Sequence, residues 1–340
     1  MRFILFISFT ALLACNNRVE QEQVVRKSVL ALLSEDISQE PNNPQLFIKR
    51  AEYFLSENNL ESALMDYKEC IKLSPENGHY HYEVAYLYYE IAKIDRSKQQ
   101  YPSKALMHLE KTIQLHADTI PALLLKGELH LAFNEVKEAI SCLNQVIELD
   151  YNRPKAHLLK GYIYSALDDK EKAIQFFHNV IDIDPTYEDA YVQLGLIYQE
   201  KKDSIAVLYY KNTLKVNPKN KMALYNLAKF YQDIEDWNGA IESYTALLQV
   251  YPTYTNGYYN LGFVHIKLGL HDIAANDFSQ AISFNPNFFE AFYSRGHCYE
   301  TLGDIARAES DYKKALYINP EYKDAKDALK SLNYKNKQIK

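Results

Sequence analysis

Ten histidines, four cysteines and 29 tyrosines are the side chains of this 340-residue sequence with the most chemistry to offer. The cysteines, Cys15, Cys70, Cys142 and Cys298, lie far apart and form no CxxC pair, so neither a zinc cage nor a disulfide framework is spelled out. Beyond Cys15 each sits in an apolar stretch, where a small buried side chain is the simpler reading. His79 and His81 look like a metal pair, yet residues two apart point to different sides of a helix. Nucleotide loops, HExxH and nucleophile elbows are absent, and the many carboxylates are expected on surfaces with no acid–base dyad among them. The expectation is no catalytic residue, no metal, no cofactor and no enzyme.

Composition narrows the partners. With 47% apolar and 24% charged residues the chain is a folded protein. Its net charge of −6, or −7 once a leader carrying Arg2 is removed, supplies no basic field for a phosphate backbone. Neither a nucleic acid nor a small-molecule substrate is expected.

The elements that position these residues are repeats. Aligned on an Ala, an aromatic four residues later and a Pro twelve later, eight segments begin at Pro44, Gly78, Ile120, Pro154, Glu188, Lys221, Thr255 and Phe289. Most span 34 residues; the second is eight longer and the fifth one shorter. Position twenty is always Ala, from Ala63 to Ala308, and position eight is always small: Ala51, Ala85, Gly127, Gly161, Gly195, Ala228, Gly262 and Gly296. Position twenty-four is aromatic in six repeats and Leu in Leu109 and Leu143, and Pro closes six, from Pro75 to Pro320.

Positions four, seven, eight and eleven share one face of a first helix; twenty, twenty-four and twenty-seven share a face of a second. Small residues at eight and twenty let the backbones approach, the aromatic fills the space beside them, and Pro ends the second helix. One hairpin cannot bury such a face alone, so neighbours must stack. The pattern also absorbs four histidines as core aromatics: His81 and His157 at position four, His130 and His265 at position eleven.

These matches resemble the tetratricopeptide repeat family over residues 44–322, with departures in the missing Trp at position four and the irregular second and third repeats. The resemblance implies an all-α fold, an α-solenoid of about eight helical hairpins in a right-handed superhelix. The repeats fall at 44–77, 78–119, 120–153, 154–187, 188–220, 221–254, 255–288 and 289–322. Residues 15–43 would be a linker and short helix with Val25, Val29, Leu32 and Leu33 in one stripe. Residues 323–340 would be a capping helix, using Ala325, Ala328, Leu329 and Leu332, followed by a frayed Lys-rich tail from Lys335.

In this family the first helices line a concave groove through positions two, five, six, nine, twelve and thirteen. The resemblance therefore places Tyr225, Asn226, Lys229, Tyr259, Asn260, Phe263, Tyr293, Ser294 and His297 along a partner-binding strip, with Met222 beside it. Asn can pair with an extended peptide backbone, and Tyr offers rigid amphipathic surface. The same residues are also ordinary packing choices, and the sequence leaves both readings open. The family's carboxylate clamp is not spelled out: Ile48, Glu52, Glu83, Pro121 and Leu125 occupy its places. Tyr82, Tyr86 and Tyr89 mark a second tyrosine-rich face. The insertion at about 91–104 reads either as a partner contact or as an extended helix pair with a solvated turn.

At the other end, Met1 and Arg2 precede the apolar run Phe3–Leu13, too short to span a bilayer as a helix and shaped like a secretory signal peptide of residues 1–14. Its exit, Leu12-Leu13-Ala14-Cys15, resembles the lipobox of bacterial lipoproteins. That resemblance implies acylation of Cys15 and membrane anchoring, and Asn16 in place of the inner-membrane retention Asp favours the outer membrane, facing the periplasm. The expected role is a membrane-anchored scaffold for protein or peptide partners in an envelope complex of secretion, motility or cell-wall machinery. The alternative is a periplasmic chaperone or carrier of extended peptides.

Overall fold

The computed structural model describes residues 29–338, with side chains to Leu332; the leader and Cys15 lie outside the described residues. Every regular element among the described residues is a helix. A lead helix, α1, covers 29–39. Eight hairpins follow: α2 (Pro44–Ser56) with α3 (Leu60–Leu73), α4 (Gly78–Ile94) with α5 (Tyr101–Gln114), α6 (Thr119–Ala132) with α7 (Val136–Leu149), and α8 (Pro154–Ala166) with α9 (Lys170–Ile183). The remaining four are α10 (Glu188–Glu200) with α11 (Ile205–Val216), α12 (Lys221–Asp233) with α13 (Trp237–Val250), α14 (Thr255–Lys267) with α15 (His271–Phe284), and α16 (Phe289–Thr301) with α17 (Ile305–Ile318). The last helix, α18, runs Lys323–Gln338. None of the described helices is long and apolar enough to cross a membrane. The residues group into two compact units, one ending at Lys160 and the other starting at Gly161.

Within each unit the helix ends have local causes. At position sixteen Asn59, Asp169, Asp236 and Asp304 accept the backbone N–H three residues on, capping the second helix of their hairpins. The residue before the cap turns left-handed: Asn58, Asn134, Asp168, Lys202, Glu235, Gly269 and Gly303 all have positive φ. That single residue reverses the chain between the two helices.

The hairpin seams are tight. The alanines of position twenty are fully buried in all eight repeats, and so are Ala51, Ala85 and Ala228 at position eight. The aromatic at position twenty-four fills the space they leave, and in three repeats its hydroxyl finds a partner at position twelve. Tyr210 donates to Gln199 Oε1 (2.5 Å), Tyr244 to Gln232 Oε1 (2.9 Å) and Tyr312 to Glu300 Oε2 (2.9 Å). A buried phenol is thereby satisfied without leaving its hairpin.

Position four has a matching role toward the preceding turn. His81 Nε2–H donates to the Pro75 carbonyl (3.1 Å), His157 Nε2–H to Tyr151 (2.9 Å) and the Tyr258 hydroxyl to Pro252 (3.2 Å). His81, His157 and His265 are buried and His130 half-buried. Cys70, Cys142 and Cys298 are buried free thiols, and burial pushes Cys70 up to about 11 and Cys298 to about 12.

Three features differ from the sequence reading. Asp66, Asp277 and Asp311 are buried at position twenty-three, not on the surface. They hold Arg50 (2.7 and 2.9 Å), His265 (2.6 Å) and Arg295 (2.8 and 2.8 Å) respectively, which makes their burial tolerable. In α1 the buried residue is Ile37, packed with Phe47, Cys70 and Tyr80, while Val29 and Leu32 of the expected stripe are exposed and Val25 lies outside the described residues. Helix α18 buries Ala325 and Leu332 and continues to Gln338, through the start of the stretch expected to fray. The insertion lengthens α4 to 17 residues. Its turn folds back on α3, where Glu61 receives Lys98 (3.0 Å) and the Tyr101 hydroxyl (3.3 Å).

Candidate functional site

The strip assembled from the last repeats belongs to α12, α14 and α16, all in the second unit. Its tyrosine rings are fixed by packing against other rings. Tyr225 is set edge-on between Tyr244 (6.4 Å between centroids) and Tyr254 (5.9 Å). Tyr259 is likewise held between Phe278 (5.6 Å) and Phe288 (4.9 Å), both at a tilt, and Tyr293 between Tyr312 (5.7 Å, tilted) and Tyr322 (5.3 Å, edge-on). Each is half-buried. Burial raises the Tyr244, Tyr254 and Tyr293 phenols, which therefore stay neutral near pH 7.

The polar members divide into two groups. Asn260 Nδ2–H donates to the Tyr225 hydroxyl (3.2 Å), and Lys229 is bonded to Asp233 one turn along its own helix. Asn226 and Ser294 are half-exposed, and neither hydrogen-bonds another described side chain. Met222, Phe263 and His297 are exposed; Lys267 lies over the Phe263 ring at 5.2 Å, and His297 meets the His271 ring edge-on at 6.5 Å. What α12, α14 and α16 offer a partner is thus Asn226, Ser294 and three exposed non-acidic side chains against tyrosine walls. Lys221 at 4.0 Å from the Tyr254 ring adds a positive charge at the start of α12.

In the first unit a cleft of about 330 Å³ lies between α4 and α6. Tyr82, Tyr86 and Tyr89 form one wall, Pro121, Leu124 and Leu125 the other. Tyr82 and Tyr86 stack at 6.5 Å, and the Tyr89 hydroxyl donates to Glu128 Oε2 (3.1 Å). Burial, with Glu83 near the first and Glu128 near the second, pushes Tyr82 and Tyr89 up to about 12. Lys93 stands over the Tyr89 ring at 5.0 Å and Lys155 pairs with Glu128. The tyrosine wall was legible in the sequence. The apolar wall was not, although Pro121, Leu124 and Leu125 stand at positions two, five and six of the third repeat.

Among the described residues no group of three or more histidine, cysteine, aspartate or glutamate side chains is arranged to hold a metal ion. Among the described histidines, His81 and His108 approach most closely, with their Nδ1 atoms 2.9 Å apart.

Residues 68–258, more than half of the chain, match the model of the tetratricopeptide repeat protein 21 C-terminal ARM domain. Residues 44–77 and 255–288 match one tetratricopeptide repeat model and residues 289–322 another. The chain belongs to the tetratricopeptide repeat family. Its fold is accordingly an α-solenoid of helical hairpins, typically a non-enzymatic interaction scaffold, and tetratricopeptide repeats generally mediate protein–protein interaction or peptide binding. No curated protein matches the chain. Similar solved structures include a MamA protein, 25% identical over 50% of this chain and 95% of that one, with a TM-score of 0.46. YrrB, described as a TPR protein with an unusual peptide-binding site, is 20% identical over 55% of this chain and 97% of its own, with a TM-score of 0.48. A tetratricopeptide repeat protein from Parabacteroides merdae is 16% identical over 85% of this chain and 98% of its own, with a TM-score of 0.41.

Proposed function

We propose that this tetratricopeptide repeat protein is a lipoprotein of a bacterial envelope, held at the outer membrane through acylated Cys15 and acting as a scaffold for a protein complex of secretion, motility or cell-wall machinery. The observation that carries the scaffold half is the strip on α12, α14 and α16: tyrosines fixed by packing, with Asn226 and Ser294 free to pair and Met222 and Phe263 exposed. Pre-fixed aromatic surface beside the unpaired Asn226 amide and Ser294 hydroxyl suits an extended peptide segment, because little side-chain entropy is lost on docking. The anchor half rests on Leu12-Leu13-Ala14-Cys15 and on Asn16 after it. The envelope address and the complex follow from that anchor.

Affinity purification from crosslinked membranes tests the role. A scaffold brings down a small, reproducible set of proteins; a chaperone or carrier brings down many at low occupancy, and that outcome would replace the scaffold. Cys15→Ser should move the protein from the membrane to the soluble fraction. Unchanged fractionation would remove the lipid anchor. Asn226→Ala, which breaks no internal bond, should weaken a captured partner without lowering the melting temperature, and unimpaired capture would move the binding surface away from this strip.

A further inference from the structure

The irregular second hairpin closes its seam in a way unlike the other seven. Position four carries His81 and position twenty-three His108, and their Nδ1 atoms face each other at 2.9 Å, with ring centroids 5.1 Å apart. His81 is buried, and its Nε2–H is committed to the Pro75 carbonyl at 3.1 Å. That commitment fixes the tautomers. A neutral His81 with its proton on Nε2 presents a bare Nδ1, so His108 must hold its proton on Nδ1 and donate it. A first added proton leaves one N–H shared between the two Nδ1 atoms, with the charge on one ring; a second charges both rings and leaves two N–H groups facing each other.

The surroundings offer the doubly charged state little relief. From α3, Lys68 adds positive charge; from α5, Lys104 stands over the Tyr88 and Tyr101 rings at 5.7 and 5.5 Å. On α4, Tyr88 packs on the His108 ring at 5.9 Å, and exposed His79 is bonded to Asp118 at 2.7 Å. The carboxylates of the flanking elements are engaged: Asp66 with Arg50, Glu61 with Lys98, Glu69 with Lys72, and Glu110 with Lys126 of α6. Burial, the His81 ring and Lys68 push His108 down to about 4 from its ordinary 6.5. Stability from this contact is therefore present above about pH 6.5 and lost as the pH falls toward 4.

We propose that the His81–His108 contact is a proton-operated latch on the α4–α5 hairpin, and that acid releases the tyrosine wall of the cleft carried on the same helix. Tyr82 is the next residue after His81, and Tyr86 and Tyr89 follow on the face of α4 that lines the cleft. Loosening α4 against α5 therefore unsettles one whole wall of that cleft. The consequence for partner binding rests on the groove reading above; the latch itself is measurable with no partner present.

The test is hydrogen exchange on the full chain at about pH 7 and about pH 4.5, corrected for the intrinsic pH dependence of exchange, for the wild type and for His81→Phe/His108→Phe. Both replacements are residues that other repeats carry at the same places, Phe47 and Phe176, so the hairpin keeps an aromatic seam. In the wild type, protection of α4 and α5 should fall roughly tenfold or more relative to α2 and α3 on acidification, and in the double variant less than about threefold. Equal responses in the two proteins would overturn the latch. As a second measurement that needs no variant, imidazole ¹⁵N shifts at pH 7 should show His81 protonated on Nε2 and His108 on Nδ1. Two averaging rings would overturn it equally. Loss of groove binding would not alter either result.

Discussion

A methyl group added to Gly161 would lie 2.5 Å from the Phe177 ring, and one on Gly195 would lie 2.5 Å from Tyr210. On Gly127 the same group would meet the Leu143 branch at 3.4 Å and the Ala139 carbonyl oxygen at 3.7 Å, both ordinary contacts. Glycine inside a helix costs about 1 kcal/mol against alanine, so Gly127→Ala should stabilise by roughly 0.5–1 kcal/mol. Gly161→Ala must displace a fully buried ring and should destabilise by about 1–3 kcal/mol despite the better propensity. Denaturant melts of the two variants check this, and shifts of the same sign would show that the ring does not select the glycine. Small residues at position eight were legible from spacing alone. Which of them had to be glycine was not, because that depends on how the ring across the seam is turned.

Between the helices of a hairpin, the turn and the seam contribute different kinds of energy. Gly269 and Gly303 have φ of +74° and +82° with open space where a Cβ would go, so an added side chain meets backbone strain and no clash. Gly303→Ala should therefore cost about 1 kcal/mol. Lys202 and Glu235 occupy the same turn position at φ of +54° and +62°, and Lys202→Gly or Glu235→Gly should gain up to about 0.5–1 kcal/mol, net of the entropy glycine adds to the unfolded chain. Thermal melts of the three variants test this, and a stabilising Gly303→Ala would sink it. The seam is closed at position twenty-three by a different device in different hairpins. It is Arg–Asp in the first and last, His–His in the second, ring stacking of Tyr164 on Phe176 in the fourth and of Tyr198 on Tyr209 in the fifth. Helix faces at positions eight, twenty and twenty-four could be read from the sequence because their residues recur. Position twenty-three could not, since its residue changes from repeat to repeat and its partner lies on the other helix. For the same reason the strip was only half legible. Tyr225, Tyr259 and Tyr293 align at once, but their confinement depends on Tyr254, Phe288 and Tyr322 at the end of each repeat, an aromatic signal the spacing did contain.

Across each unit, helices pack chiefly on the helix before and the helix after, with lighter contacts one further on, as between α4 and α6 or α14 and α16. Stability is then a sum of hairpin terms and nearest-neighbour terms, and damage should stay where it is made. Arg295 is a suitable probe because it joins three helices: two bonds to Asp311 on α17 and one to Ser279 on α15 (3.0 Å). Arg295→Ala leaves the Asp311 carboxylate buried without its cation. The expected loss is about 2–4 kcal/mol, the lower part of the range for a buried pair because the guanidinium is partly open to water. Hydrogen exchange should report that loss in α15, α16 and α17 while α10, α11 and α12 keep their protection. Arg50→Ala makes the matched cut in the first unit, where Arg50 joins Asp66 on α3 to Ser34 on α1 (3.2 Å); there α2 and α3 should open and α6 and α7 should not. If either cut lowers protection evenly throughout its unit, the unit unfolds as one cooperative body. A partner docked on α12, α14 and α16 would then change the stability of the whole unit, whereas nearest-neighbour coupling confines its effect to the hairpins it touches and those beside them.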